Sequence, residues 1–358
     1  KELIVMLKKR IAMGIMASLL ACSFIAGCGG GNKGGDPTPP KPKPVAEDLK
    51  DLPSKDLKIG TKTYKLYSLK NDAKLRLENV YSKGMRIAVA DKYMVYANVK
   101  NKLVQMKWEK DALVLINDRV DDLGGNAKVS TDKKGVFYDN KKMKLTYFDG
   151  DTNRIDQAQN RFNHLVVIPQ GAADKALTWM VQGDISKVNL RDGYKVGQTI
   201  GVVRKESRAR DAADKDKIAI PESVIADTNG DFYVGGRARV QNDDVGLAFA
   251  YDANGKQKRM YGKERRNDKD VMYTVTDMAL TNDYLVISDS SATKSQLLFY
   301  KKSLGSLAQA ISFKELTGKE DTLVGACVNL ATMPENRVLV VLSRGRRDVD
   351  DEIFVLQL

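Results

Sequence analysis

Histidine is almost absent from this sequence of 358 residues, which contains one, His164. A site that binds a metal through several histidines is therefore excluded. His164 precedes Leu165-Val-Val, an apolar run typical of a strand, so we interpret it as a strand residue rather than a general base. We predict no catalytic residue, no metal site and no cofactor.

Long apolar runs are also scarce, and the one exception is Ile11–Gly27. At 17 residues this run is at the short limit for crossing a bilayer. Lys8-Lys-Arg10 precedes it and small residues end it, a pattern typical of a secretory signal.

The end of this run, Ile25-Ala-Gly-Cys28, resembles the lipobox of bacterial lipoproteins. The resemblance implies that residues 1–27 are a cleaved signal peptide and that Cys28 carries the lipid that anchors the mature chain to a membrane. An ordinary signal followed by an incidental cysteine is the alternative. Because Gly29 rather than Asp follows the cysteine, the resemblance implies the outer membrane if the organism has one, and otherwise the outer face of the cell membrane.

Glycine and proline are concentrated directly after Cys28, at 29–35 and 37–44. Such a composition cannot bury enough apolar surface to fold, and it makes a flexible, extended spacer. We therefore divide the chain into a signal peptide at 1–27, a disordered Gly/Pro-rich tether at 28–56 and a folded domain at 57–358.

Cysteine usage agrees with this interpretation. Cys22 leaves with the signal and Cys28 is acylated, so Cys327 alone remains and no intramolecular disulfide is available. Cys327 lies in an apolar run at 324–330, which favours buried packing over reactivity.

Acidic residues are outnumbered: the net charge is +13, and without residues 1–27 it is still +10, from 55 basic and 45 acidic residues. Such a surface favours acidic partners, although a plain solvated lysine-rich surface is the alternative.

Short apolar or alternating segments recur through the rest of the chain, divided by turns such as Asn229-Gly and Asn254-Gly. Asn and Gly accept the positive φ of tight hairpins, so these segments predict strands. They group in fours, with a last group of three: 85–91, 93–97, 102–108 and 112–116; 128–132, 135–139, 144–149 and a run near Ile155; 164–168, 176–181, 185–190 and 198–203; 223–227, 232–236, 247–251 and 259–261; 274–280, 284–288, 296–300 and 310–313; 324–333, 337–343 and 352–358.

A recurring four-strand unit is typical of a β-propeller, because one unit cannot bury both faces of its sheet and must stack on its neighbours. The sequence therefore predicts an all-β fold, a six-bladed β-propeller of four-stranded antiparallel blades. The last blade lacks a strand, and an N-terminal strand at 61–69 or 74–81 is expected to complete it. A β-sandwich explains the four-strand period less well.

The run Ser223-Val-Ile-Ala-Asp-Thr-Asn-Gly-Asp-Phe-Tyr-Val-Gly235 resembles the blade core of NHL-type and TolB-like six-bladed propellers. Ala248-Phe-Ala-Tyr-Asp-Ala-Asn-Gly255 resembles their third strand and turn. The resemblance supports the fold and does not identify a function.

Two acidic segments, 227–231 and 149–153, have oxygens at alternate positions as calcium loops do. Neither has the glycine and terminal glutamate of an EF-hand, and both fall where a hairpin turn is expected. We interpret them as turns.

Basic clusters interrupt the strand pattern and are the candidate contacts for an anionic partner. If they project from one propeller face, they form a cationic rim; because acidic residues are interspersed, solvated loops are the alternative. The cluster residues are Arg204, Arg208, Arg210, Lys258, Arg259, Arg265, Arg266, Arg344, Arg346 and Arg347. No aromatic residues are interleaved for base stacking, so we expect no nucleic-acid partner.

These features together predict an exported, lipid-anchored envelope lipoprotein whose propeller is a non-catalytic binding or scaffolding module for a protein or an anionic envelope polymer. The alternative is a propeller-type envelope hydrolase or lactonase with a metal-assisted site in the axial pocket. Several inward-facing carboxylates at metal-ligand spacing would favour the enzyme.

Overall fold

A computed structural model provides the structure of the protein. It describes residues 47–77, 84–124, 127–139, 141, 144–148, 154–158, 163–167, 176–180, 185–189, 195–200, 218, 220–240, 243–263, 272–290, 295–318, 327–343 and 349–358. The chain divides into two units, Lys1–Val45 and Ala46–Leu358, and all the described residues belong to the second. The predicted signal peptide, Cys28 and most of the predicted tether lie outside the described residues.

The second unit is all-β and propeller-like. Its described strands form four four-stranded antiparallel sheets and one nine-stranded sheet. Within each four-stranded sheet, every strand pairs with the next one along the chain, as the second to fifth strand groups of the sequence predict.

The bounds of the sixteen strands in the four-stranded sheets follow in chain order. They are β7 Val129–Thr131, β8 Val136–Asp139, β9 Lys144–Phe148 and β10 Arg154–Ala158; β11 Asn163–Val167, β12 Ala176–Met180, β13 Ile185–Asn189 and β14 Lys195–Ile200; β15 Ile220–Ala226, β16 Phe232–Val240, β17 Asp243–Tyr251 and β18 Gln257–Tyr261; β19 Val275–Leu280, β20 Tyr284–Ser290, β21 Ser295–Lys301 and β22 Leu307–Ser312.

The nine-stranded sheet joins the two ends of the folded unit. Its strands are β1 Ser54–Ile59, β2 Lys62–Asn71, β3 Ile87–Val89, β4 Met94–Val99, β5 Lys102–Glu109, β6 Ala112–Asp122, β23 Cys327–Met333, β24 Arg337–Ser343 and β25 Glu352–Gln357. β2 lies between the two halves of this sheet: it pairs antiparallel with β25 through 65–69 and parallel with β6 at Lys70 and Asn71. Of the two N-terminal candidates, 61–69 is therefore the one that pairs with β25, and residues 74–77 are not a strand.

Ordered structure begins before residue 57, the expected start of the domain. β1 starts at Ser54 and forms a hairpin with β2, and a 3-10 helix spans Glu47–Leu49. Leu49 and Leu52 are buried among side chains of β5, β24 and β25, because these two leucines supply the apolar surface that the preceding Gly/Pro-rich residues lack.

The turns of the β15–β18 sheet show why this part of the sequence is so regular. Gly230 and Gly255 adopt φ of 89° and 85°, which glycine reaches without steric cost. The Asp252 side chain accepts hydrogen bonds from the backbone N–H groups of Asn254 and Lys256, at 2.9 and 2.8 Å. Asp227–Asp231 is likewise a turn, as predicted; the other acidic segment, 149–153, lies outside the described residues.

One short α-helix, α1 at Phe313–Thr317, follows β22. The predicted fifth strand group extends to Phe313, but the strand ends at Ser312 because Ser312 and Glu315 form a capping box that starts the helix. A second 3-10 helix spans Asp91–Tyr93. No helix within the described ranges is long and apolar enough to cross a membrane.

The first strands of successive sheets pack side by side. β3 contacts β7 and β23, β11 contacts β7 and β15, and β19 contacts β15 and β23. Apolar side chains fill the spaces between neighbouring sheets; the rings of Tyr96 and Phe148, for example, meet edge to face with centroids 6.2 Å apart. The core is therefore a series of layers between sheets.

The first strands β3, β7 and β15 run in one direction. Residues at the starts of β3, β7 and β15 meet, since the Val129 N–H donates to the Met85 carbonyl at 2.9 Å and Lys128 Nζ donates to the carbonyls of Gly84 and Glu222. We call this end of the sheets the connection end. The end at which each first strand turns into the second is the turn end.

Leu66 provides a test of how β2 packs. It is buried among Val338, Leu356 and other apolar side chains, so Leu66→Ala should lower the free energy of unfolding by about 2–5 kcal/mol. The exposed Ser68 on the same strand is a control, and Ser68→Ala should change it by less than about 0.5 kcal/mol. Urea unfolding followed by circular dichroism measures both; equal stabilities would contradict the packing of β2.

Candidate functional site

Among the residues that the structure describes, two regions are candidate functional sites: the axial pocket between the first strands, and a cleft at the turn end. In the axial pocket the chemistry centres on Asp277 of β19, which is 1% exposed. Its carboxylate accepts hydrogen bonds from the backbone N–H groups of Met85, Met278 and Leu330, at 3.2, 2.9 and 2.9 Å, and from Ser223 Oγ at 3.3 Å. Burial outweighs these donors and raises the pKa of Asp277 to about 6.

A second buried carboxylate lies near the connection end of the pocket. Glu222 is 7% exposed and pairs with Arg237 across 3.4 Å. Burial raises the pKa of Glu222 to about 7, against the opposing charges of Lys128 and Arg237. Asp277 and Glu222 therefore both hold protons more tightly than an exposed acid does.

The axial pocket is small, about 90 Å³, and Asp277 is the carboxylate among its lining residues. Its other polar lining residues are Ser130, Thr131 and Thr332, and the remainder is apolar. In the part of the chain that the structure describes, no three His, Cys, Asp or Glu side chains are grouped as metal ligands. Cys327 is buried, as the sequence predicts, and burial raises the pKa of its thiol to about 12, so it is not a nucleophile.

The cleft at the turn end is larger, with a volume of about 820 Å³. Three elements form it: the β15–β18 sheet, the β19–β22 sheet and the turn between β1 and β2. Its charged lining residues are Lys62, Lys258, Arg259, Lys301, Lys302, Asp227, Asp231 and Asp283, which give a net charge of +2 from five cations and three anions.

Two of the lysines are committed to ion pairs inside the cleft. Lys258 Nζ lies 2.6 Å from Asp231 Oδ2, and Lys302 Nζ lies 2.8 Å from Asp227 Oδ2. Lys302 also donates to the Thr281 carbonyl at 3.0 Å. These pairs neutralise two of the three aspartates, so three cations remain against Asp283.

Arg259 is the best oriented of those three cations. Its Nη1 donates to the Lys302 carbonyl at 2.9 Å, and its stem passes over Gly305, where an added Cβ would lie 2.8 Å from Arg259 Cδ. Tyr261 donates to the same carbonyl at 2.9 Å, which helps to fix the position of the acceptor. Among the described residues, Arg259 has no carboxylate partner.

The other two unpaired cations of the cleft are Lys62 and Lys301, and both are exposed. Neither forms an ion pair with any described residue. The cleft can therefore bind an anion through a half-buried guanidinium and two exposed ammonium groups. The half-buried Leu307 and Ala308 supply apolar surface beside these cations.

Of the predicted partner-binding residues, the cleft contains Lys258 and Arg259. Both are in the first half of β18, close to the turn end. The remaining predicted residues lie outside the described ranges: Arg204, Arg208, Arg210, Arg265, Arg266, Arg344, Arg346 and Arg347.

Sequence reasoning missed Lys62, Lys301 and Lys302. Lys301-Lys302 at the end of a predicted strand was an available signal. No pattern in the sequence around Lys62 predicts its position in the cleft, because the pairing of β2 with β25 brings it there. His164 is in β11, opposite Trp179 of β12, as expected of a strand residue.

No protein-family model and no curated protein matches this sequence. Solved structures similar to the chain include YCF48 bound to a D1 peptide, with 10% identity, 84% of this chain and 86% of that chain covered, and a TM-score of 0.42. The WD40 β-propeller domain of Doa1 gives 12% identity, coverage of 81% and 96%, and a TM-score of 0.46. A nidogen/laminin complex gives 10% identity, coverage of 72% and 92%, and a TM-score of 0.45.

Glu222 predicts a pH dependence of stability. The native carboxyl keeps its proton to about pH 7, whereas the unfolded chain releases it near the ordinary pKa of 4.5. Between these values the native state binds more protons, so the free energy of unfolding falls as the pH rises from about 4.5 to about 7. Glu222→Gln removes the titrating group and should flatten this fall.

The decrease in the free energy of unfolding with pH should become smaller in Glu222→Gln but should not vanish. Burial also raises the pKa of Asp277 to about 6 and that of Asp351 to about 7. Denaturant titrations at several pH values measure the slope. Identical slopes for the wild type and the variant would show that Glu222 does not titrate abnormally.

Proposed function

We propose that this chain is a lipid-anchored protein of the bacterial cell envelope, whose propeller binds a partner protein through the cleft at the turn end and catalyses no reaction. The observation that carries the proposal is the charge arrangement of the cleft: two of its aspartates are neutralised internally, while Arg259, Lys62 and Lys301 are left for an external anion. An open, charged surface of this kind suits a binding module.

The scaffold we propose is a closed ring of six blades. The contacts of β3 with both β7 and β23 support closure, because they link the first and last strand groups of the chain. The antiparallel pairing of β2 with β25 supports a last blade completed by an N-terminal strand. A ring closed by strands from both ends of the chain gives a rigid platform for the turns that build the cleft.

The alternative, a hydrolase or lactonase in the axial pocket, has less support. A metal-assisted hydrolytic site needs several oxygen or nitrogen ligands around an open position. Among the described lining residues, Asp277 alone supplies a carboxylate, and its oxygens already accept hydrogen bonds from backbone N–H groups. The volume of about 90 Å³ is also small beside the roughly 300–1,000 Å³ of usual ligand pockets.

Anchoring through Cys28 rests on the lipobox resemblance of Ile25-Ala-Gly-Cys28. The residues between Cys28 and Asp48 can span at most about 70 Å when fully extended. Asp48 is held firmly, since its carboxylate receives two hydrogen bonds from Arg337, at 2.7 and 3.0 Å.

The anchor is tested by Cys28→Ser. Metabolic labelling with radioactive palmitate should mark the wild-type chain and not the variant, because serine has no thiol to form the thioether that attaches the lipid. The variant should also move from the membrane fraction to the soluble exported fraction. Palmitate that persists in the Cys28→Ser chain would exclude Cys28 as the anchor.

The partner is tested by crosslinking in intact cells, followed by purification of the chain and mass spectrometry. Specific recovery of one or a few envelope proteins is expected from the wild type. A matched chain that carries the same signal and tether on an unrelated folded domain is the control. If the two chains recover the same proteins, the binding function is wrong.

A further inference from the structure

We infer that the cleft at the turn end binds an extended acidic peptide segment, with Arg259 engaging one carboxylate and Lys62 and Lys301 engaging its neighbours. This inference rests on the proposed function, since it names the chemistry of the partner that the propeller would hold.

The charge of the cleft is arranged for a carboxylate ligand. Cations that were needed only for internal balance would each be paired, as Lys258 and Lys302 are with Asp231 and Asp227. Arg259, Lys62 and Lys301 have no such partner among the described residues, although all three line the same cleft. An incoming carboxylate meets few competing anions, because Asp283 is the acidic lining residue outside an ion pair.

The orientation of Arg259 supports a specific contact rather than a diffuse field. Nη1 is held by the Lys302 carbonyl, and the ion pair of Lys302 with Asp227 in turn holds that residue in place. Gly305 leaves the space through which the Arg259 stem passes. A preorganised guanidinium loses little entropy when it forms a two-point contact with a carboxylate.

The shape and lining of the cleft favour a peptide over a phosphate polymer. Apolar surface from the half-buried Leu307 and Ala308 lies beside the cations. An extended peptide places successive side chains on opposite sides, so acidic and apolar side chains can contact the two kinds of surface in turn. A phosphate polymer has no apolar groups for this surface, and the volume of about 820 Å³ accommodates a few residues.

The test measures fluorescence anisotropy of a short fluorescein-labelled peptide of alternating glutamate and leucine, added to the full chain in detergent. Lys62→Gln/Lys301→Gln should weaken binding about tenfold, because two charge contacts are lost. The matched control is Lys100→Gln/Lys102→Gln, which removes two exposed charges outside the cleft and should change the affinity less than about twofold.

Arg259→Lys tests the anchor with the charge retained. It should weaken binding several-fold, since an ammonium group cannot form the two-point contact. Circular dichroism melting of each variant ensures that a lost fold is not mistaken for lost binding. If Arg259→Lys fails to fold, Lys62→Gln/Lys301→Gln still tests the inference, because both lysine side chains are exposed and their replacement should leave the fold intact.

The outcomes separate this inference from the proposed function. Equal peptide affinity in wild type and cleft variants, or equal loss in the control pair, overturns the inference. Binding of inorganic polyphosphate that depends on the cleft, without binding of the peptide, also overturns it and identifies a phosphate polymer as the ligand. If crosslinking in cells still recovers a partner from the cleft variants, the partner binds elsewhere: the propeller remains a binding module, but the assignment of its binding site to the cleft is wrong.

Discussion

The carboxylate of Asp277 is the contact on which the centre of the molecule depends. It accepts hydrogen bonds from Met85 and Leu330, which belong to opposite ends of the chain, and from Ser223 of a neighbouring sheet. A buried ionised group is costly, but here its donors are backbone N–H groups that would themselves be unsatisfied without it. The pKa of Asp277 is raised because the loss of water around the carboxylate has a larger effect than the hydrogen bonds that stabilise its charge. The axis is therefore a structural junction, and its polar atoms are engaged in holding strands together.

Joining the ends of the chain requires a second set of contacts at the turn end. β2 brings an N-terminal strand beside β25, and Arg337, fully buried, clamps Asp48 while it lies 5.6 Å from the ring centre of Tyr93 and 5.7 Å from that of Trp108. Residues almost 300 positions apart are thereby paired. Such non-local contacts carry a large entropic cost during folding, which the burial of Leu49, Leu52 and Leu66 helps to offset.

The candidate site follows from this architecture. The turn end gathers turns from separate sheets, and these turns carry the charged residues, whereas the interiors of the strands are buried. Lys301 and Lys302 illustrate the consequence: they are adjacent in the sequence, yet Lys302 is bound to Asp227 of another sheet and Lys301 is exposed. These contacts produce a cleft in which some charged side chains are paired and others are not. The local sequence around the cleft predicts only ordinary turns.

Local chemistry determined much of what could be foreseen. The alternation of apolar residues, the Asn-Gly turns and the apolar run around Cys327 encode strand, turn and burial within a few residues, so the four-strand groups and the candidate strand at 61–69 were predictable. Only the tertiary structure decided the partner of that strand, the helix and strand that precede residue 57, and the grouping of Lys62 with Arg259 and Lys301. The physical reason is distance: an ion pair such as Lys302–Asp227 depends on atoms 2.8 Å apart in space that belong to different sheets, and no local pattern records which charges will meet.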